Sequence, residues 1–97
     1  MSIDTISPSP SESRPIYIER VNAVIDYIEA HLADELSLST LADVAHFSPY
    51  HFHRVFSTLV GETLSRFISR LRIERSATLL IQHPQRAITD IAADCGL

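Results

Sequence analysis

Residues 46–56, HFSPYHFHRVF, gather His46, His51 and His53 with Ser48, Tyr50 and Arg54, side chains able to ligate a metal, activate a nucleophile or read a nucleic acid. His51 and His53 lie two residues apart, hence about 160° apart around a helix, whereas chelation from one helix needs the i, i+3 or i, i+4 spacing that shares a face. No cysteine or carboxylate is spaced to complete a shell around His46 in the preceding turn, so no metal is expected. Ser48 and His51 stand where side chains meet, but Ser48 is needed as a helix cap and no Asp or Glu is placed locally to orient the imidazole. The sequence therefore predicts no catalytic residue, no cofactor and no enzyme.

The third chemistry survives. Phe52, Val55, Phe56 and Leu59 recur at steps 0, 3, 4 and 7 and must face a core. Relative to Phe52, Tyr50, Arg54 and Ser57 then lie within about 40° of the outward direction, with His53 and Thr58 at the shoulders. Arginine can grip guanine O6 and N7 through two parallel bonds, His and Ser can donate or accept at base edges, and a Tyr ring can cover a thymine methyl. A helix N-terminus offers free N–H groups to a backbone phosphate. That is the equipment of a helix that reads a major groove; the competing reading is a solvated helix face.

Such a helix has to be held by others. Ser48 and Pro49 pair an N-cap hydroxyl with proline at the first helical position, and Gly61 is a natural left-handed stop, so the reading helix is predicted over 49–60. Before it, Ser37 can cap a short helix whose inner face is Leu38, Leu41, Ala42 and Ala45. Two short helices joined by a tight turn make a helix-turn-helix unit. Further upstream, Ile18, Val21, Ile25, Ile28 and Leu32 mark one face of a scaffold helix that starts at Ile16. Residues 1–15, with five Ser and three Pro and no apolar period, read as a disordered tail.

After Thr63 a long helix runs to the block at Pro84. Leu64, Phe67, Ile68 and Leu71 share one face, and Ile73, Ala77, Leu80 and Ile81 share another, the two centred about 150° apart. A helix whose apolar side changes midway is expected to join two lobes. An internal repeat agrees: at an offset of 50, Leu38, Leu41, Ala42, Ala45, His46 and Phe47 align with Ile88, Ile91, Ala92, Cys95, Gly96 and Leu97. The expected plan is thus all-α: a tail over 1–15, a first helix-turn-helix subdomain over 16–61, a linker helix over 62–84 and an incomplete, truncated second subdomain over 85–97.

Composition bounds the partners. The 97 residues suffice for one modest domain or two small lobes, and 45% hydrophobic with 21% charged is ordinary for a globular chain. No apolar run is long enough for a membrane span and no leader is evident, so a cytoplasmic protein is expected. The lone Cys95 reads as a small core residue. The net charge of −4 conceals a cationic middle: residues 46–86 hold six Arg against two Glu, and every basic residue is arginine. That skew suits planar recognition of phosphates and base edges.

At this point the chain resembles the DNA-binding region of the AraC/XylS family of bacterial transcription regulators. The matching stretches are LADVA, then SPYHFHRVF with Ser48, Arg54 and Phe56, then Gly61, RFISRLRIERSATLL and ITDIAADCGL, covering about residues 18–97. The resemblance implies two homeodomain-like helix-turn-helix subdomains on a linker helix, each sending a recognition helix into the major groove of double-stranded DNA. Carried over by position, Tyr50, His53, Arg54 and Ser57 become base contacts, and Ser48, His51 and Thr58 phosphate contacts. It also implies an effector-sensing domain, which would lie beyond residue 97. His46 departs from the family pattern at a turn where glycine is frequent, and Ser76 at a linker position where alanine is usual. A rival reading is a helical interaction module in which Ile73, Ala77, Leu80 and Ile81 pair with another copy or with RNA polymerase.

Overall fold

A computed structural model describes the backbone of residues 10–97 and the side chains of residues 14–97. Five helices follow one another without a strand among the described residues: α1 Pro10–Ala30, α2 Leu38–Ala45, α3 Pro49–Val60, α4 Leu64–Gln82 and α5 Ile88–Asp94. The all-α expectation holds, and α2–α3 form the helix-turn-helix.

The starts and stops follow local chemistry. Ser37 accepts from the Thr40 amide at 3.1 Å, Ser48 from the His51 amide at 3.3 Å and Thr63 from the Arg66 amide at 3.2 Å, so three helices open on a capping hydroxyl. Pro49 follows Ser48 at the head of α3, and Gly61 ends that helix at φ 85°.

The start of α1 corrects the expected tail. The helix begins at Pro10, six residues before Ile16. Proline at the first helical position sacrifices only an N–H that has no intrahelical partner anyway, while Pro15, further in, does remove one bond. The rest of the expected tail, residues 1–9, lies outside the described residues.

The core gathers Val21, Val24 and Ile28 of α1, Leu32 of the turn after it, Leu41, Ala42 and Ala45 of α2, Phe52, Val55 and Phe56 of α3, and Leu64, Phe67 and Ile68 of α4. Phe56 packs edge-on to Phe67 with centroids 5.4 Å apart, tying α3 to α4. Two inner-face assignments shift. Ile18 is 40% exposed because it lies about 60° off the axis of the face, where Val24 takes the core side. Leu38, in the first turn of α2, is 38% exposed.

In α4 the first apolar face is buried as expected, the second is not. Ile73 and Ile81 are 59% and 81% exposed. The half-buried positions of the second half are instead Arg72, Ser76 and Leu79, which share a different face. Helix α5 packs against α4, burying Ile91 and Cys95 apart from the main core. The departure at Ser76 is absorbed locally: its hydroxyl donates to the Ile73 carbonyl at 2.8 Å.

The repeat reaches the backbone. His46 ends α2 at φ 60°, with its amide on the Asp43 carbonyl and the Phe47 amide on the Ala42 carbonyl. Fifty residues on, Gly96 has φ 78°, with its amide on Ala93 and the Leu97 amide on Ala92. Both are the left-handed Schellman closure of a helix.

Candidate nucleic-acid interface

Helix α3 is anchored along one side by Phe52 and Phe56, both fully buried, and Val55, at 8% exposure. This fixes what the other side can present. Tyr50 is 74% exposed, and His53, Arg54 and Thr58 are exposed with it. Tyr50 and Arg54, one turn apart, touch loosely: Nη1 of Arg54 lies 3.5 Å from the Tyr50 hydroxyl, and the guanidinium carbon 5.9 Å from the ring centroid. Both separations sit at the outer limit for their kind, so little holds Arg54 back from another acceptor.

Ser57 corrects the sequence expectation. Its residue is half-buried and its hydroxyl oxygen is enclosed without a hydrogen-bond partner among the described residues. The helical wheel places Ser57 outward, but a side chain of two heavy atoms is overshadowed by its neighbours, and the hydroxyl in this rotamer faces no open surface.

The three histidines take three separate parts. His46 is exposed and closes α2 in the left-handed region. His51 leans toward α1, its ring 4.9 Å from that of Phe47 and 5.8 Å from that of Tyr17. Arg20 covers the same cluster, its guanidinium carbon 5.0 Å from the Phe47 centroid and Nη1 3.5 Å from the His46 carbonyl. His53 lies on the opposite flank, beside a groove formed with Leu36, Leu38, Leu64, Ile68 and Arg72. Among the described residues no three His, Cys, Asp or Glu side chains converge.

Ser48 is exposed, with its oxygen accepting from the His51 amide; its hydroxyl hydrogen is left to donate. His51 and Thr58 are exposed on the same side of the wheel, about 100° and 120° from Phe52. The polar side of α3 thus has a central ridge of Tyr50 and Arg54, His53 on one flank, and Ser48, His51 and Thr58 toward the other.

The cationic middle is smaller than its formula charge. Arg70 is held by Glu62 at 2.7 Å and Glu74 at 3.1 Å, and Arg86 by Asp94 at 2.5 Å. The bond from Glu62, then that from Glu74, raises the Arg70 pKa further above its ordinary value, and the bond from Asp94 does so for Arg86. Arg72 is turned onto backbone carbonyls. Of the six arginines in this stretch, Arg54, Arg66 and Arg75 are held by neither a carboxylate nor a backbone carbonyl among the described residues. The Arg70–Glu74 pair has the i, i+4 spacing a sequence can show, but the carboxylates of Glu62 and Asp94 are each eight residues from their arginines and carry no such signal.

A sequence model of the family described as a helix-turn-helix domain matches residues 41–97. Among curated proteins, the chain is 39% identical over 79 residues to the bifunctional transcriptional activator/DNA repair enzyme AdaA of Bacillus subtilis, an alignment covering 81% of this chain and 37% of that protein. It is 38% identical over 77 residues to the HTH-type transcriptional activator RhaS of an Enterobacter species, covering 79% of this chain and 27% of that protein. It is 36% identical over 76 residues to the HTH-type transcriptional regulator YbfP of Bacillus subtilis, covering 78% and 25%. The chain therefore spans about a third or less of the length of these relatives. The second half of α2, capped α3, the linker α4 and the repeated start of a second unit at α5 fall within the matched segment, and the chain belongs to the AraC type of the helix-turn-helix domain family.

Proposed function

We propose that this chain is a sequence-specific DNA-binding module of a transcription regulator, with α3 lying in the major groove. One observation carries the reading: the phenylalanines of α3 are fully buried while Tyr50 and Arg54 stand exposed on the far side. Tyr50, His53 and Arg54 contact base edges, Arg54 through its two-pronged guanidinium. Ser48, His51 and Thr58 contact phosphates along the flank, the first two at the amide end of α3, which favours negative charge. Ser57, its hydroxyl enclosed in this rotamer, joins the base contacts only by a rotamer change. The module itself is not an enzyme; the DNA repair in the name of AdaA belongs to that protein, of which this chain matches little more than a third.

Selection from a random duplex pool, followed by gel shift with the parent and Arg54→Ala, tests the proposal. The parent should enrich a defined motif, and Arg54→Ala should lose preference at one base pair, with a cost of about 1–3 kcal/mol. Enrichment of no motif would contradict it.

A second reading has its own support in the exposure of Ile73 at 59%, Leu80 at 37% and Ile81 at 81% along α4. On that reading, two copies pair through Ile73, Ala77, Leu80 and Ile81. Sedimentation would reveal dimers that dissociate on dilution and persist without DNA; a monomer throughout would dismiss the pairing.

A further inference from the structure

The C-terminal end of α1 presents carbonyls that no longer have helical partners. Several are satisfied locally: Nδ1 of His31 lies 2.8 Å from the Tyr27 carbonyl, the His31 amide donates to Ile28, and the Asp34 amide to His31. The carbonyls of Leu32 and Asp34 are satisfied from a distance. Arg72, forty residues on in α4, donates Nε to Leu32 at 3.0 Å and Nη2 to Asp34 at 2.9 Å. A guanidinium is the one side chain that can grip two carbonyls in this way with a fixed fork.

The other side of that grip is Gly96. A Cβ built there would collide with the Leu32 carbonyl oxygen and lie 2.9 Å from Nε and 3.2 Å from Cζ of Arg72. The turn after α5 is therefore pressed against the guanidinium and the end of α1 together, and only a residue without a side chain fits. Three segments remote in sequence meet at one point: the end of α1, the middle of α4 and the end of α5. Among the described residues no other side-chain hydrogen bond joins α4 to the α1–α2 turn.

We infer that Arg72 and Gly96 form a latch that fixes how the α4–α5 unit sits against the α1–α3 unit. Arg72 is thereby a positioning residue for DNA binding, acting on the angle between the two units and touching no base itself. The functional half of this inference rests on the reading of α3 as a groove-binding helix; the geometric half does not. A charged donor fork at this point stiffens a junction that α4, with its sparse second apolar face, would otherwise leave loose.

Residue-resolved amide hydrogen exchange on the full chain tests the latch, comparing the parent with Arg72→Gln and Arg72→Lys. In Arg72→Gln the amides of Ile91 and Cys95 should exchange at least tenfold faster while those of Val24, Ile28, Phe52 and Phe56 keep their protection. Arg72→Lys, which keeps the charge and loses the fork, should recover only part of it. Equal loss in both sets would make Arg72 a general stabiliser, and no loss in either would make the contact idle; both overturn the latch. In gel shifts on the parent's selected duplex, Arg72→Gln should bind more weakly with the same base preference, and a changed preference would overturn the positioning role. A parent that selects no duplex would defeat the reading of α3, and the exchange comparison would still decide the latch.

Discussion

His46 and Gly96 occupy the same left-handed position fifty residues apart, at φ 60° and 78°, yet only one of them could exchange places with the other. The His46 side chain is exposed, whereas a side chain at Gly96 would enter the Leu32 carbonyl and the Arg72 guanidinium. The repeat conserves backbone geometry; the surroundings decide which residue can bear it.

His46→Gly should therefore stabilise the chain by about 1 kcal/mol, the usual strain of a non-glycine residue in this conformation. Gly96→Ala should do the reverse and loosen α5. Urea denaturation followed by circular dichroism measures both, and a destabilised His46→Gly would refute the strain argument.

Ser48→Ala should lower stability by about 1 kcal/mol through loss of the α3 cap. Since Ser48 is also proposed to meet a phosphate, DNA affinity should fall across all duplexes without a change in the preferred motif. An altered motif in a pool selection would remove Ser48 from the flank and make it a base contact.

Phe56→Ala should cost about 3–5 kcal/mol, because Phe56 is fully buried and meets both Phe52 and Phe67. In a chain of this size that is enough to abolish a cooperative thermal transition. Tyr50→Ala, 74% exposed, should leave the melting temperature nearly unchanged and weaken DNA binding. Parallel melting of the two variants checks the division of α3 into a buried side and a reading side.

Much of this was legible from local patterns. The hydroxyls of Ser37, Ser48 and Thr63, the stop at Gly61 and the alternation of phenylalanines in α3 are short-range signals, and the structure places helix ends and core where they point. What escaped depended on distant partners. Helical angle put Ser57 outward without registering that neighbours enclose its hydroxyl. Charge counting treated the six arginines of residues 46–86 alike, although carboxylates and carbonyls of this chain already hold Arg70, Arg72 and Arg86. An arginine meeting backbone carbonyls forty residues away carries no motif, since every residue has a carbonyl.

The salt dependence of binding should be correspondingly shallow. Because Arg54 is assigned to a base edge and not to a phosphate, Arg54→Ala should leave the slope of log affinity against log salt nearly unchanged. A slope reduced by about one would move Arg54 onto a phosphate.

The most direct measurement is a map of amide and side-chain chemical-shift changes as this chain is titrated with its selected duplex. The largest changes should fall on Tyr50, His53 and Arg54 of α3, with smaller ones at Ser48, His51 and Thr58. Changes concentrated on α1 or on the outer face of α4, with α3 silent, would contradict the assignment of α3 as the reading helix.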